Sequence, residues 1–179
     1  MPIASLILVA FLFLAHLEGS IEIVGRSAQY SQFAHVRPID PTCTSLVQRG
    51  TDRSATFRHL VSSIEASDII VYVECGQRLR TGVVGVTRLS ARAGGFRYVR
   101  VSIDQRVTGD DAVAILGHEL YHVTEIASAR HVIDASTMRE LYMTLGHVTC
   151  AEEPPCFDTP EARRAGDVIL RELRAVVRD

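Results

Sequence analysis

Asp110–Ala129 reads DDAVAILGHELYHVTEIASA, twenty residues without proline. Its Ala, Val, Ile and Leu positions predict a helix of about five turns. Asp110 and Asp111 stand at the end where the helix macrodipole is positive and complement it. Inside the run, His118 and His122 are four residues apart, so they share one face a turn apart along the axis.

Upstream, SATFRHLVSSIEAS (54–67) sets Phe57, Leu60, Val61 and Ile64 at helical spacing behind Ser54, a capping residue. Asp68 then opens IIVYVE, a β-branched and aromatic run of the kind found in buried strands. Two more strands are expected at 83–90 and 96–104. Gly94-Gly95 suits the hairpin turn between them. In the second, Arg97 and Arg100 read as part of a solvated face that could also meet acidic substrate groups. Downstream, a helix over 134–145 should stop at Gly146, and 147–157 reads as a loop containing Pro154-Pro155. Thr159 and Pro160 open a last helix with Ala162, Ala165, Ile169, Leu173 and Val176 on one face. The fold class is therefore α+β, with a small, largely antiparallel sheet packed by helices and the 110–129 helix at its centre. Residues 21–50, which include the turn-forming RPIDPT, read as an irregular arm, leaving 51–179 as the domain proper.

The chain has 179 residues, 47% hydrophobic and 22% charged, with a net charge of −2. That length gives one domain, and the composition excludes disorder, collagen and coiled coil. All 19 basic residues are Arg, and they do not cluster, so there is no electrostatic footprint for nucleic acid. Leu6–Leu14 (LILVAFLFL) is too short to span a bilayer comfortably and has the length of a signal-peptide apolar region. Residues 1–20 are thus expected to be a signal peptide, cleaved near Gly19 or Ser20, or else an N-terminal anchor. The protein is then exported, periplasmic or secreted, and meets a membrane only through that segment. The four cysteines fit an oxidising compartment: Cys150 and Cys156 could close locally around AEEPP, with Cys43 and Cys75 stapling the arm to the first strand. No C-x-x-C pair supports a zinc ribbon or a thioredoxin-like site.

His118-Glu119-Leu120-Tyr121-His122 is an H-E-x-x-H motif on a predicted helix. Two imidazoles on one face can reach one ion, and neutral imidazole nitrogen is a good zinc ligand. Glu119, beside the first His, can reach water at an open metal position and take its proton. From the His and Glu content, about 2% of shuffled chains would carry the pattern by chance.

GHELYHVTEIA resembles the active-site helix of zincin metallopeptidases. The order of strand, hairpin and motif helix resembles the minimal zincin core, in which an antiparallel edge strand binds peptide beside the metal. The chain is also similar to small uncharacterised bacterial exported proteins with such a helix. The resemblance covers about residues 54–177 and implies Zn2+ as cofactor, a peptide or protein substrate, and Glu119 as general base. It is gluzincin-like rather than metzincin-like, since Glu125 stands where the metzincin pattern has Gly and no third His follows. The NExxxD glutamate motif of the best-known gluzincins is also absent.

A third metal ligand has to come from another segment. By analogy with gluzincins, whose third carboxylate lies on a later helix, Asp158 is favoured and Glu161 is the alternative. Glu140, His131 and His147 stay open, and Glu125, about 10 Å along the axis from His118, suits a supporting contact. His147, Tyr142 or Tyr121 could stabilise an oxyanion, although Tyr121 should face away from the metal. Specificity is expected in strand 83–90 and loop 147–157. The expected activity is a zinc-dependent hydrolase, above all a metallopeptidase, and the same site would also support hydrolysis of a non-peptide amide. The alternative is a non-catalytic exported binding module on a zincin-like scaffold, against which an intact Glu119 argues.

Overall fold

A computed structural model describes residues 33–150 and 156–175. The apolar run Leu6–Leu14, residues 21–32 of the expected arm, Pro154-Pro155 and Val176 lie outside the described residues. In chain order the elements are β1 (Val36–Pro38), α1 (Pro41–Arg53), α2 (Ala55–Glu65), β2 (Ile69–Gln77), β3 (Gly85–Ala93), β4 (Phe96–Asp104), α3 (Gly109–Ser128), α4 (Ala135–Leu145), β5 (His147–Cys150), β6 (Cys156–Asp158) and α5 (Pro160–Ala175). The α+β class holds. Among the described residues no helix is long and apolar enough to cross a membrane.

Four strands form one sheet in the order β1-β2-β4-β3. The β3–β4 hairpin is antiparallel, and Gly94 and Gly95 turn it with positive φ of 59° and 85°, a region that glycine enters without steric cost. The sheet is mixed rather than largely antiparallel. β4 runs parallel to β2, with Val71 opposite Val99 and Val73 opposite Val101, and β1 is parallel to β2 on the other side. Burial explains the arrangement. β4 is the more buried arm of the hairpin and lies inside the sheet, as strands covered on both sides do, while the largely exposed β3 takes the edge.

Residues 33–50 are not an irregular arm. β1 extends the sheet, and the DPT of RPIDPT is a helix start: Asp40 caps α1 by accepting from Cys43 N (2.8 Å), and Pro41 occupies the first turn. A Cys43–Cys75 disulfide joins α1 to β2, as expected for that pair. The inward residues of β2 (Ile69, Val71, Val73) and β4 (Val99, Val101, Ile103) meet Phe57, Leu60, Leu116, Leu120 and Ile169 in one core. Each large aliphatic side chain so buried contributes about 1.5–3 kcal/mol.

Arg97 departs from the expected solvated face, being only 1% exposed. A helix leaves its last carbonyls without intrahelical partners, and α3 has no basic residue of its own in its last turn. Arg97 supplies the donors from β4. Nη1 reaches the carbonyls of Ile126 (2.8 Å), Ala129 (2.9 Å) and Val132 (3.1 Å), and Nη2 reaches Ala127 (3.1 Å). Its remaining donors hold the Asp68 carboxylate. That pairing, opposed by partial burial, lowers the Asp68 pKa.

Beyond α4, which begins with a capping box at Asp134, the expected loop is a short antiparallel ladder at its ends. His147 stands opposite Asp158 and Cys150 opposite Cys156. Gly146 ends α4 in an extended rather than a left-handed conformation, with φ −113°. Glycine is required there by proximity, since a Cβ would lie 2.6 Å from the Asp158 carbonyl oxygen.

Candidate metal centre

α3 forms where the sequence predicts it and carries His118, Glu119 and His122 in its middle. The helical spacing turns both imidazoles the same way: His118 Nε2 and His122 Nε2 are 3.2 Å apart. Asp158 Oδ1 joins them at 3.3 Å from His118 Nε2 and 3.7 Å from His122 Nε2. Asp158 arrives from the end of β6, not from the helix where it was expected, and it sits just before the cap of α5. Two tetrahedral zinc bonds of about 2.0–2.1 Å set their donors about 3.3 Å apart, which these three atoms match.

Two of the three, His122 and Asp158, are oriented from behind. His122 Nδ1 lies 2.7 Å from Glu125 Oε2, so the carboxylate accepts a hydrogen bond from Nδ1–H and turns Nε2 towards the convergence point. Glu125 Oε1 in turn accepts from Thr159 Oγ1 (2.8 Å), and that same hydroxyl oxygen caps α5 by accepting from Ala162 N (3.2 Å). Asp158 Oδ2 is held by Arg163 Nε, while Oδ1 also accepts from Thr159 N (2.7 Å). Arg163 continues to His147, with Nη2 3.2 Å from His147 Nε2. Tyr142 packs edge-on to the His122 ring and donates its hydroxyl to the His122 carbonyl (3.2 Å).

Glu119 is 6% exposed and faces β3. Its Oε2 accepts from Thr87 Oγ1 at 2.6 Å. It belongs to neither the His pair nor the Asp158 contact, and its side-chain partner is Thr87.

No protein-family model, curated protein or solved structure matches the chain.

The field at the site favours positive charge. Burial by itself would lower the His122 pKa, but Asp158 and Glu125, with Glu119, outweigh it and push the ring up to about 9. For His118 burial, helped by His122 and Arg163, prevails over Glu119 and Asp158, and its pKa falls below the ordinary value. Burial likewise works to raise Asp158, yet His122 and Arg163 hold its carboxyl well below the usual range.

Other expected residues lie elsewhere. Glu161, the alternative ligand, is exposed and faces Arg164, and Glu140 and His131 are exposed without joining the cluster. The Tyr142 hydroxyl is buried against the backbone, with its pKa raised by that burial and by Glu125, so it is not positioned to meet an oxyanion. Tyr121 packs against the core. His147 is exposed beside Arg163. The sequence reading missed Arg163 and Thr87 as site residues. Thr87 lies in the strand expected to wall the site, whereas nothing local to Arg163 marks it.

Proposed function

We propose that the chain is a zinc-dependent hydrolase, and specifically a metallopeptidase, with His118, His122 and Asp158 as ligands and Glu119 as general base. The observation that carries the reading is the convergence of three donor atoms at tetrahedral spacing, with Glu119 next to them and outside the set. Zinc, when bound, supplies Lewis acidity at neutral pH, polarising a carbonyl and bringing the pKa of water towards about 7.

The chain's own residues do the rest. Glu119 receives the proton that an attacking water gives up and passes it to the leaving amine. Glu125 keeps His122 in the Nδ1–H tautomer, and Arg163 occupies Asp158 Oδ2 so that Oδ1 is the oxygen presented. β3 is an edge strand beside Glu119, so an extended peptide could lie along it. The Cys43–Cys75 disulfide supports an oxidising, extracytoplasmic location.

The test is metal analysis of the purified protein together with hydrolysis of a mixed library of quenched fluorogenic peptides. Stoichiometric zinc in the wild type and in Glu119→Gln, none in His122→Ala, and cleavage by the wild type alone are expected. Equal metal in wild type and His122→Ala overturns the ligand assignment. Zinc without turnover in the wild type leaves a binding module.

A further inference from the structure

Edge strand β3 approaches the motif helix at two alternate residues, Gly85 and Thr87, and both touch Glu119. Strand residues two apart share a face, so the pair forms one short platform under the carboxylate. Thr87 Oγ1 donates to Glu119 Oε2 at 2.6 Å and lies 3.3 Å from the Glu119 carbonyl oxygen, which ties side chain and helix backbone to the same hydroxyl. Gly85 supplies the space. A Cβ there would sit 2.5 Å from Glu119 Oε1 and 2.9 Å from its Cγ, with Ile115 Cγ2 also at 2.9 Å. Any side chain at 85 would therefore push the Glu119 carboxylate off the strand.

The two oxygens of Glu119 are consequently unequal. Oε2 is anchored, whereas Oε1, over Gly85, has no hydrogen-bond partner among the described residues, and no side-chain atom there is both fully buried and unpartnered. We infer that Thr87 and Gly85 are positioning residues that fix the Glu119 carboxylate by Oε2 and leave Oε1 as the oxygen that accepts the proton. The inference rests on the hydrolase reading for what Oε1 does, and on the geometry alone for how Oε1 is presented. In the step itself, one O–H bond of the attacking water breaks and its proton forms a bond to Oε1; the water oxygen keeps the electron pair and forms a bond to the carbonyl carbon, as the C=O π bond breaks and its pair moves onto the carbonyl oxygen.

Thr87→Val keeps the shape and removes the donor; Thr87→Ser keeps the donor and removes a methyl group. Two measurements on the full chain separate the possibilities. In metal-free protein labelled with 13C at the glutamate carboxyl carbons, the Glu119 signal (identified by its loss in Glu119→Gln) should shift in Thr87→Val and return in Thr87→Ser. In zinc-loaded protein assayed on the fluorogenic peptide library, Thr87→Val should lower kcat about 10- to 100-fold. KM and zinc content should stay unchanged, and Thr87→Ser should recover most of the rate. Gly85→Ala should shift the same 13C signal and lower kcat with zinc retained. An unmoved Glu119 signal in Thr87→Val, or a Thr87→Val rate equal to wild type, overturns the inference and leaves the hydrolase reading standing. A wild type that holds zinc but cleaves no peptide overturns that reading and, with it, the role given to Oε1.

Discussion

Among the described residues potential metal ligands gather in two places: Asp40, Cys43 and Cys75 where α1 meets β2, and His118, His122 and Asp158 between α3 and β6. By residue type and proximity the two clusters rank alike. Their atoms differ in what they already hold. In the first, the sulfurs are bonded to each other, and the Asp40 oxygens accept from Cys43 N (2.8 Å) and Cys75 N (2.9 Å), so every ligand atom is committed to the fold. In the second, the outer atoms of His122 and Asp158 are committed, to Glu125 and to Arg163, and although Asp158 Oδ1 also accepts from Thr159 N, these commitments aim the inner atoms at one another. Ligand chemistry is thus read from where the second bond of each group goes, not from the roster of residues.

Substitutions can break or sharpen this contrast. The largest effect is expected from His122→Ala, which should abolish stoichiometric zinc by elemental analysis, whereas the Cys43→Ser/Cys75→Ser pair should leave zinc content intact. Glu119→Gln comes next: zinc stays, and peptide hydrolysis falls about 10²- to 10⁴-fold, as for loss of a positioned general base. The double Cys→Ser variant should instead lose about 4 kcal/mol in urea unfolding, from chain entropy for a bridge spanning 32 residues. Glu125→Gln, acting from behind His122 and keeping an acceptor for Thr159, should weaken zinc affinity about 10- to 100-fold in competition with a chelator.

The smallest effect concerns pH. The His122 pKa is raised in the folded, metal-free chain from 6.5 to about 9. A raised value means that the folded state holds the proton more tightly than the unfolded one. The stabilisation is therefore complete below about pH 6.5 and is lost as pH rises through about 9. Urea midpoints of chelator-treated wild type should fall across that window, and those of His122→Ala should fall less. Zinc binding runs the opposite way and tightens as the proton leaves.

Much of the fold is legible in the residues. The helices with apolar stripes, α2, α3 and α5, and the three long strands follow from periodicity. Strand pairing does not, because nothing in VVGVTRLS or FRYVRVSID states which arm of the hairpin will dock on β2; burial of the finished sheet decides it. α1 was hidden because its buried positions, Cys43, Val47, Gly50 and Thr51, are weakly apolar and its DPT start also reads as a turn. Arg97 was misplaced for a different reason: its partners are carbonyls some thirty residues away, which alternation along a strand cannot reveal. At the site, His118, Glu119 and His122 are visible in the motif, and Asp158 entered by resemblance to gluzincins. Thr87 and Arg163 act across the fold, Thr87 on a residue 32 positions distant, and local spacing carries no trace of such contacts.

Arg97 also sets which parts of the centre can give. By bonding the carbonyls of Ile126 and Ala127 in the last turn of α3, and of Ala129 and Val132 just beyond it, it ties that end of the helix to β4. The two imidazoles thus ride on a rail bolted at one end. Asp158, in contrast, rides on a three-residue strand that pairs, among the described residues, with β5 alone, and its carboxylate is set by Arg163 and Thr159. If the three groups hold an ion as proposed, the imidazole pair is the side of the centre fixed to the sheet and the carboxylate the side fixed to α5.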